Sequence, residues 1–316
     1  MSPTILVVGA TGNTGRSVVQ TLSKLLTSNE VLLSGHRILA LTRSLNGEAA
    51  QKLAQLPGVE VAKQNWVEIT PDWLRQHNVV RAFIASHNQP NQFAEESTFH
   101  LAALQAGVEY VVRISTTAAN VRPDCPAYYP RTHWAIEALL SSPEFECLHW
   151  TSLQPNIFSP FYLASAAELV KNYRTTGKQT PLRLIASEDA PVSIVDADDV
   201  GTLAAHLLVE KDLAVHNKAR YVVNGPEDIA GRQIVKMVED LIGTQVEDVI
   251  YKDMSFAKQL ASAAGGESRN VIMSIEHAAE TAWDGQCTAS TTSKEVLKLA
   301  APKGTPSQAF KALLEL

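Results

Sequence analysis

Cysteine is scarce: Cys125, Cys147 and Cys287 are the only three in 316 residues. An odd number at wide spacings makes neither a disulfide framework nor a zinc site. The thiols therefore read as reduced, and the expected location is cytoplasmic. Excess basic charge is also missing, with 27 Lys and Arg against 33 Asp and Glu for a net charge of -6. No basic run is present to neutralise a phosphate backbone, so a nucleic-acid partner is not expected. Nowhere do about eighteen apolar residues follow one another, so no bilayer-spanning helix and no membrane partner are expected. At the N-terminus the apolar run Ile5-Leu6-Val7-Val8 has no basic segment before it and stops at Gly9, unlike a signal peptide. What is present is 45% hydrophobic against 19% charged residues. That composition buries one large core or two smaller ones and speaks against disorder or a fibrous repeat.

The first residues carry the sharpest motif. Thr4 to Val8 is a continuous β-branched and aliphatic run, the pattern of a parallel strand covered on both faces. Gly9-Ala10-Thr11-Gly12-Asn13-Thr14-Gly15 follows at once and opens a helix. Glycines in this G-x-x-G-x-x-G spacing permit a tight turn and close backbone approach, and amides at the helix N-terminus face a pyrophosphate. Gly9, Thr11, Gly12, Asn13, Thr14 and Gly15 are accordingly candidate cofactor contacts.

A second strand, Ile38 to Leu41, ends at Thr42-Arg43-Ser44. A dinucleotide fold meets the adenosine ribose there, and an acidic side chain would hold the two hydroxyls of NAD. None is present. Arg43 offers a planar fork of donors and Ser44 a hydroxyl, which favours the 2′-phosphate of NADP(H); the other reading of Arg43 is a solvated arginine. Arg43 lies further from Gly15 than the usual interval of about twenty residues, and the polar stretch from Thr27 to Glu30 with Ser34 to His36 reads as an insertion.

Strand and helix signals keep alternating. Val59 to Ala62 is a third strand, and Asn65 beyond it is either an adenine contact or a turn former. Thr70-Pro71 caps a helix. A fourth strand, Val79 to Ala85, stops at Ser86-His87-Asn88. A helix from Asn91 to Ala106 closes on Gly107, and a fifth strand, Tyr110 to Ile114, ends at Ser115-Thr116. Five such units in series imply an α/β fold with a doubly wound parallel sheet and ligands at the carboxyl ends of its strands. Ser86, His87 and Ser115 fall on that edge.

The chemistry is expected on a helix from about Tyr129. Tyr129, His133 and Glu137 are four apart and share a face. Tyr129 and His133 form a candidate proton-transfer pair, with Glu137 fixing the histidine tautomer or raising its charge. The alternative has His133 bonding only a ribose hydroxyl, with Tyr129 packing. A sixth strand, Cys147 to Leu153, leads into Pro155, Asn156 and Phe158, which either wall a nicotinamide pocket, with the asparagine as a polar handle, or form a domain-crossing loop. Asp196, Asp198 and Asp199 read as the cap of the following helix rather than as metal ligands, and no metal is assigned.

The glycine loop with Arg16, the strand ending Val112-Arg113-Ile114-Ser115, the His133-Trp134-Ala135-Ile136-Glu137 helix and Tyr221-Val222-Val223-Asn224-Gly225-Pro226-Glu227 resemble the NmrA-like family of atypical short-chain dehydrogenases. The tail from Ala301 to Phe310 is similar to that family's closing motif. The resemblance implies a Rossmann domain, a smaller substrate lobe and NADP(H) binding, in a family of quinone reductases, isoflavone reductase relatives and dinucleotide-binding regulators. On the isoflavone-reductase-like branch the catalytic lysine falls on Tyr129 here, and the usual Tyr-x-x-x-Lys is replaced by Tyr129-x-x-x-His133.

The expected organisation is a Rossmann domain over 1–155, completed by about 190–225, with a smaller α+β substrate lobe from 156–189 and 226–316. The expected function is an NADPH-dependent oxidoreductase acting on a small apolar carbonyl, enone or quinone-like acceptor. Its alternatives are an NADP(H)-binding redox sensor with a regulatory protein partner and, third, a cofactor-retaining isomerase or epimerase. A homodimer is compatible with either of the first two.

Overall fold

The computed structural model describes residues 2–27, 33 and 35–315. The insertion expected between Thr27 and His36 falls largely on residues 28–32 and 34, outside the described residues.

The first half alternates strictly: β1 (Thr4–Val8), α1 (Asn13–Thr27), β2 (Arg37–Thr42), α2 (Glu48–Ala54), β3 (Val59–Lys63), α3 (Pro71–Gln76), β4 (Val79–Ile84), α4 (Gln92–Ala106), β5 (Tyr110–Ile114), α5 (Tyr128–Leu140) and β6 (His149–Pro155). The local reasons are those visible in the chain. Thr70 accepts from the Trp73 amide with Pro71 in the first turn, and Gly107 ends α4 in the left-handed region at φ 80°, where a Cβ would be strained. The second half adds α6 (Ser159–Thr176), β7 (Leu182–Arg183), α7 (Ala197–Leu208), β8 (Ala219–Val223), α8 (Gly231–Ile242), β9 (Val249–Ile250), α9 (Phe256–Ala263), α10 (Arg269–Met273), α11 (Glu280–Trp283), α12 (Lys294–Ala300) and α13 (Pro306–Glu315).

A seven-stranded parallel sheet has the order β3-β2-β1-β4-β5-β6-β8. The fold is the doubly wound Rossmann type. Its order reverses between β1 and β4, and the crevice at such a reversal is where open α/β sheets take ligands. One face buries Val18, Val19 and Leu22 of α1 against Leu203, Leu207 and Leu208 of α7. The other buries Phe99, Ala102 and Ala103 of α4 with Ile136 and Leu140 of α5 and Trp150 of β6. A third core, around Leu163, Val170, Leu184, Ile234, Val238 and Phe310, belongs to the lobe built on α6, α8, α13 and the two-stranded β7-β9 sheet.

Three details differ from the sequence reading. Val192-Ser193-Ile194-Val195 has the composition of a strand, yet it forms only two isolated bridges, to Ile229 and to Phe158. It follows Pro191 and serves as the seam between sheet and lobe, with the Ser193 hydroxyl donating to the Gly225 carbonyl at 2.9 Å. Leu182-Arg183-Leu184-Ile185 has the composition of a strand, but only Leu182 and Arg183 form one. The segment after 226 is not all lobe: α12 packs on α7 and β8, and its Val296 lies in the core beneath the main sheet. Asp196 caps α7 by accepting from the Asp198 amide at 2.8 Å, while Asp199 accepts from the Lys303 and Gly304 amides. The aspartates therefore anchor a helix and the C-terminal crossing.

Candidate active site

The turn after β1 is held by the Gly12 amide donating to the Gly9 carbonyl at 2.9 Å and the Arg16 amide donating to Gly12 at 3.0 Å. Gly9 adopts φ 79°. A Cβ on Gly15 would sit 2.1 Å from the Gly9 carbonyl oxygen, so only glycine lets the helix start this close to the strand. The amides of Asn13, Thr14 and Gly15 donate to no protein group among the described residues. They are the orphan donors of a helix N-terminus, at the positive end of its dipole. The turn touches β4's carboxyl end, since a Cβ on Gly9 would lie 3.1 Å from the Ala85 carbonyl. The crevice of the strand-order reversal therefore opens at this loop.

From the loop a cavity of about 860 Å³ extends over the carboxyl ends of β4, β5 and β6 to the lobe. Of the candidates read from sequence, the cavity wall collects Thr14, Ser86, Ser115, Tyr129, His133, Pro155, Asn156 and Phe158. Arg43 and Ser44 lie exposed beyond β2, and Asn65, also exposed, lies beyond β3, its side-chain oxygen accepting from the Val67 amide at 3.4 Å. That is the turn-forming alternative, with the amide nitrogen left over. His87 stands beside the wall, with one ring nitrogen on Glu95 at 2.5 Å and the other accepting from the Gln89 amide. Asn156 gives both amide donors to the Ser193 and Cys287 carbonyls, so it ties the lobe to the sheet and keeps only acceptor capacity toward a ligand. The lobe side of the cavity is mostly apolar, with Phe161, Met254, Phe256, Ile272 and Trp283, and Glu267 and Thr281 line it as well.

Behind this wall runs a buried polar network that the sequence reading did not assemble. Arg113, fully buried on β5, donates to Glu96 on α4 at 2.6 Å, to Ser152 on β6 at 3.0 Å and to His133 Nδ1 at 2.8 Å. His133 Nε2 is 2.9 Å from Asn88 Oδ1, and Gln92 Nε2 stands 3.5 Å from both ring nitrogens. Glu96 also accepts from the Ser86 hydroxyl at 2.6 Å and faces His100 at 3.3 Å. Burial alone would raise the Glu96 carboxyl, but Arg113 and His100 outweigh it and hold it well below its ordinary value. Glu137 does not fix the His133 tautomer. It turns to Ser152, Gln154 and Arg220, with Arg220 Nε at 2.9 Å. The helical stripe is present, but the hydrogen-bond donors of β6 and β8 draw this carboxylate away from the histidine.

A guanidinium has no acceptor, so His133 Nδ1 accepts and the proton sits on Nε2. The ring is neutral. Burial first, then the Arg113 charge, lower its pKa to about 3, against an opposing pull from Glu96. Burial likewise lowers His100. Tyr129 is half-buried, its ring edge-on to His133 at 6.5 Å between centroids. Burial, partly countered by a hydrogen bond with Thr116, pushes its phenol up to about 12. The expected pair is thus a protonated phenol beside a neutral imidazole, with no cation between them.

The neutral His133 ring sets an acid limit. Unfolded, it takes up a proton near pH 6.5; folded, it resists until about 3. Stability should be fully present above about pH 6.5 and decline below it, His133 contributing about 1.4 kcal/mol per pH unit and His100 adding in the same direction. Urea unfolding across pH 5 to 8 should show that slope, shallower in His133→Gln; an identical slope in the variant would refute the assignment.

The NmrA-like family model matches residues 1–303. The chain belongs to the NmrA-like family. No curated protein matches it in sequence. Among solved structures it is similar to an NADPH-dependent quinone oxidoreductase from Escherichia coli complexed with NADPH, at 21% identity and TM-score 0.72 over 98% of this chain and 99% of that one. It is also similar to Citrobacter sp. triphenylmethane reductase complexed with NADP(H), at 20% identity and TM-score 0.68 over 98% and 100% of the chains. A third is Nmra, a negative transcriptional regulator, at 17% identity and TM-score 0.66 over 100% and 96%. At these identities the likeness establishes the Rossmann fold of this NmrA-like protein. No helix among the described residues is long and apolar enough to cross a membrane.

Proposed function

We propose that this NmrA-like protein is an NADPH-dependent oxidoreductase that passes hydride to a small, apolar carbonyl, enone or quinone-like acceptor. The observation that carries the reading is the cradle of three unpartnered amides at the strand-order reversal, opening into the cavity with the apolar far wall. The cradle fits a dinucleotide, because the amides of Asn13, Thr14 and Gly15 offer a pyrophosphate the donors it needs. Arg43 and Ser44 would hold the 2′-phosphate, and Asn65 would lie toward the adenine. Ser86, His87, Ser115, Pro155 and Phe158 would flank the nicotinamide half. Two of the similar structures, both reductases, were crystallised with NADPH or NADP(H), which supports the cofactor.

When bound, the reduced nicotinamide supplies the hydride. The apolar lobe wall excludes water and selects uncharged, planar acceptors. Tyr129, protonated across the neutral range, acts as a hydrogen-bond donor to the acceptor oxygen and is a poor source of a transferred proton. That favours acceptors whose reduced form tolerates negative charge, as a hydroquinone does.

Oxidation of NADPH with a panel of quinones, followed at the nicotinamide absorbance, tests the reading; tight cofactor binding without turnover on any acceptor would sink it. Titration calorimetry should show NADPH preferred over NADH by about 1.5–3 kcal/mol, one charge-assisted phosphate contact, with most of that preference lost in Arg43→Ala. Equal affinities in the parent chain would overturn the NADP(H) assignment.

One observation favours a second reading. His133 stands where a lysine would supply a cation, and it is buried and neutral. That suits a redox sensor whose NADP(H)-loaded state is read by a protein partner. Partner capture that varies with the NADP/NADPH ratio, without turnover, would select it.

A further inference from the structure

We propose that Asn88 is a ligand-binding residue of this cavity, and that Glu96, Arg113 and His133 are positioning residues that fix its amide with Nδ2 as an outward donor to a ligand oxygen. The inference rests on the reductase reading for the identity of the ligand, but not for the geometry. Each step follows from donor chemistry. Arg113 Nη2 is 2.8 Å from His133 Nδ1 and can only donate. The histidine proton is therefore on Nε2, and Nε2 donates to its neighbour at 2.9 Å. That neighbour must be the amide oxygen of Asn88. The NH2 of Asn88 is then turned away from the network, on a residue that lines the cavity and has no partner for Nδ2 among the described residues. The Asn88 backbone is pinned as well, its carbonyl accepting from the Tyr128 hydroxyl at 2.5 Å.

Charged and polar groups face the histidine from every element packed against it. Glu96 and Gln92 face His133 from α4, Arg113 from β5, and Tyr129 from its own helix. Glu137, also on that helix, is held by Ser152, Gln154 and Arg220. His87 and Glu95, beside Asn88, pair with each other. Because the Arg113 charge opposes a proton on the ring, the orientation should persist through the range in which a free histidine titrates. The site would therefore present a constant neutral donor where a lysine would present a charge. A ribose hydroxyl or carboxamide of the cofactor, or the carbonyl of the acceptor, supplies the same chemistry, an oxygen lone pair.

Two measurements decide it. Nitrogen-15 NMR of the histidine-labelled protein should show His133 as the Nε2–H tautomer, unchanged from pH 8 to 5; an Nδ1–H tautomer, or an imidazolium at pH 6, overturns the relay. Asn88→Asp keeps the shape but replaces the donor by an acceptor, and Asn88→Ser restores a smaller donor. In the Asp variant either NADPH affinity by calorimetry or acceptor KM should worsen by about tenfold, the loss expected when a ligand oxygen meets no donor. The Ser variant should recover part of it, with unfolding midpoints unchanged. The parameter that moves identifies cofactor or acceptor as the ligand. If the parent chain binds and oxidises NADPH while the Asp variant matches it in both parameters, the inference fails alone. A parent chain that does not bind NADPH removes the reductase reading itself, and leaves the tautomer result to judge the relay.

Discussion

Replacing Arg113 by methionine should destabilise the protein by about 3–5 kcal/mol, because one partner is removed from a buried ion pair while the other stays behind. Glu96 loses its closest cation, at 2.6 Å, and Glu137 loses a second one at 3.6 Å, retaining half-exposed Arg220. The sign of the pH dependence separates this from loss of packing. In the parent chain Glu96 sits well below its ordinary value, so it contributes stability above the unfolded carboxylate pKa and loses it as pH falls through the folded one. In the variant, burial without the guanidinium raises the carboxyl, so its penalty is largest at neutral pH and shrinks as pH falls toward the ordinary carboxylate range. Urea melts of both proteins from pH 7 to 4.5 check this. A deficit that stays constant with pH would point to a cavity instead. Adding Glu96→Gln to Arg113→Met should restore part of the loss, since the buried charge goes with its partner.

The second large effect is expected at Gly15. Alanine there places a methyl 2.1 Å from the Gly9 carbonyl oxygen and 2.9 Å from the Ala10 Cα, both backbone atoms that no side-chain rotation can relieve. The turn must open, at about 1–3 kcal/mol of overpacking strain, and the amides of Asn13 and Thr14 move with it. If two charge-assisted contacts to a pyrophosphate are lost at about 1.5 kcal/mol each, NADPH should bind at least about a hundredfold more weakly. Calorimetry at a temperature where thermal melts show the variant folded would measure this. An affinity within threefold of the parent would mean that the cradle does not carry the diphosphate.

Much of the sheet was readable because its signals are local. β5 begins and ends as expected, at Tyr110 and Ile114. The glycine turn likewise fixes where β1 stops, at Val8. Elements that depend on partners distant in sequence were read less well. Leu184 and Ile185 have strand chemistry, yet β9, which would have to pair with them, is two residues long. The rim of the site was legible as polar residues following strands. Its foundation was not. Glu96 and Arg113 lie on a helix and a strand seventeen residues apart, in apolar surroundings where a charge has no periodic signature. Only the packing of α4 over β5 makes them a pair. For Glu137 the i, i+4 rule gave the face correctly but could not weigh the competing donors on β6 and β8, which won.

The route of the backbone through the two bodies has one more consequence. It leaves the sheet after β6, returns for α7 and β8, departs for α8, comes back at α12 and ends on α13 against α6. Neither body is a contiguous stretch of polypeptide, so no single cut releases an intact half. Shortening the molecule at its carboxyl end would strip Phe310 from the lobe's interior, and fragments made at the apparent boundary should behave as unfolded chains rather than as separable modules. Sewn together in this way, the two parts are suited to adjusting to a guest by small shifts of the segments lining the cleft rather than by swinging apart.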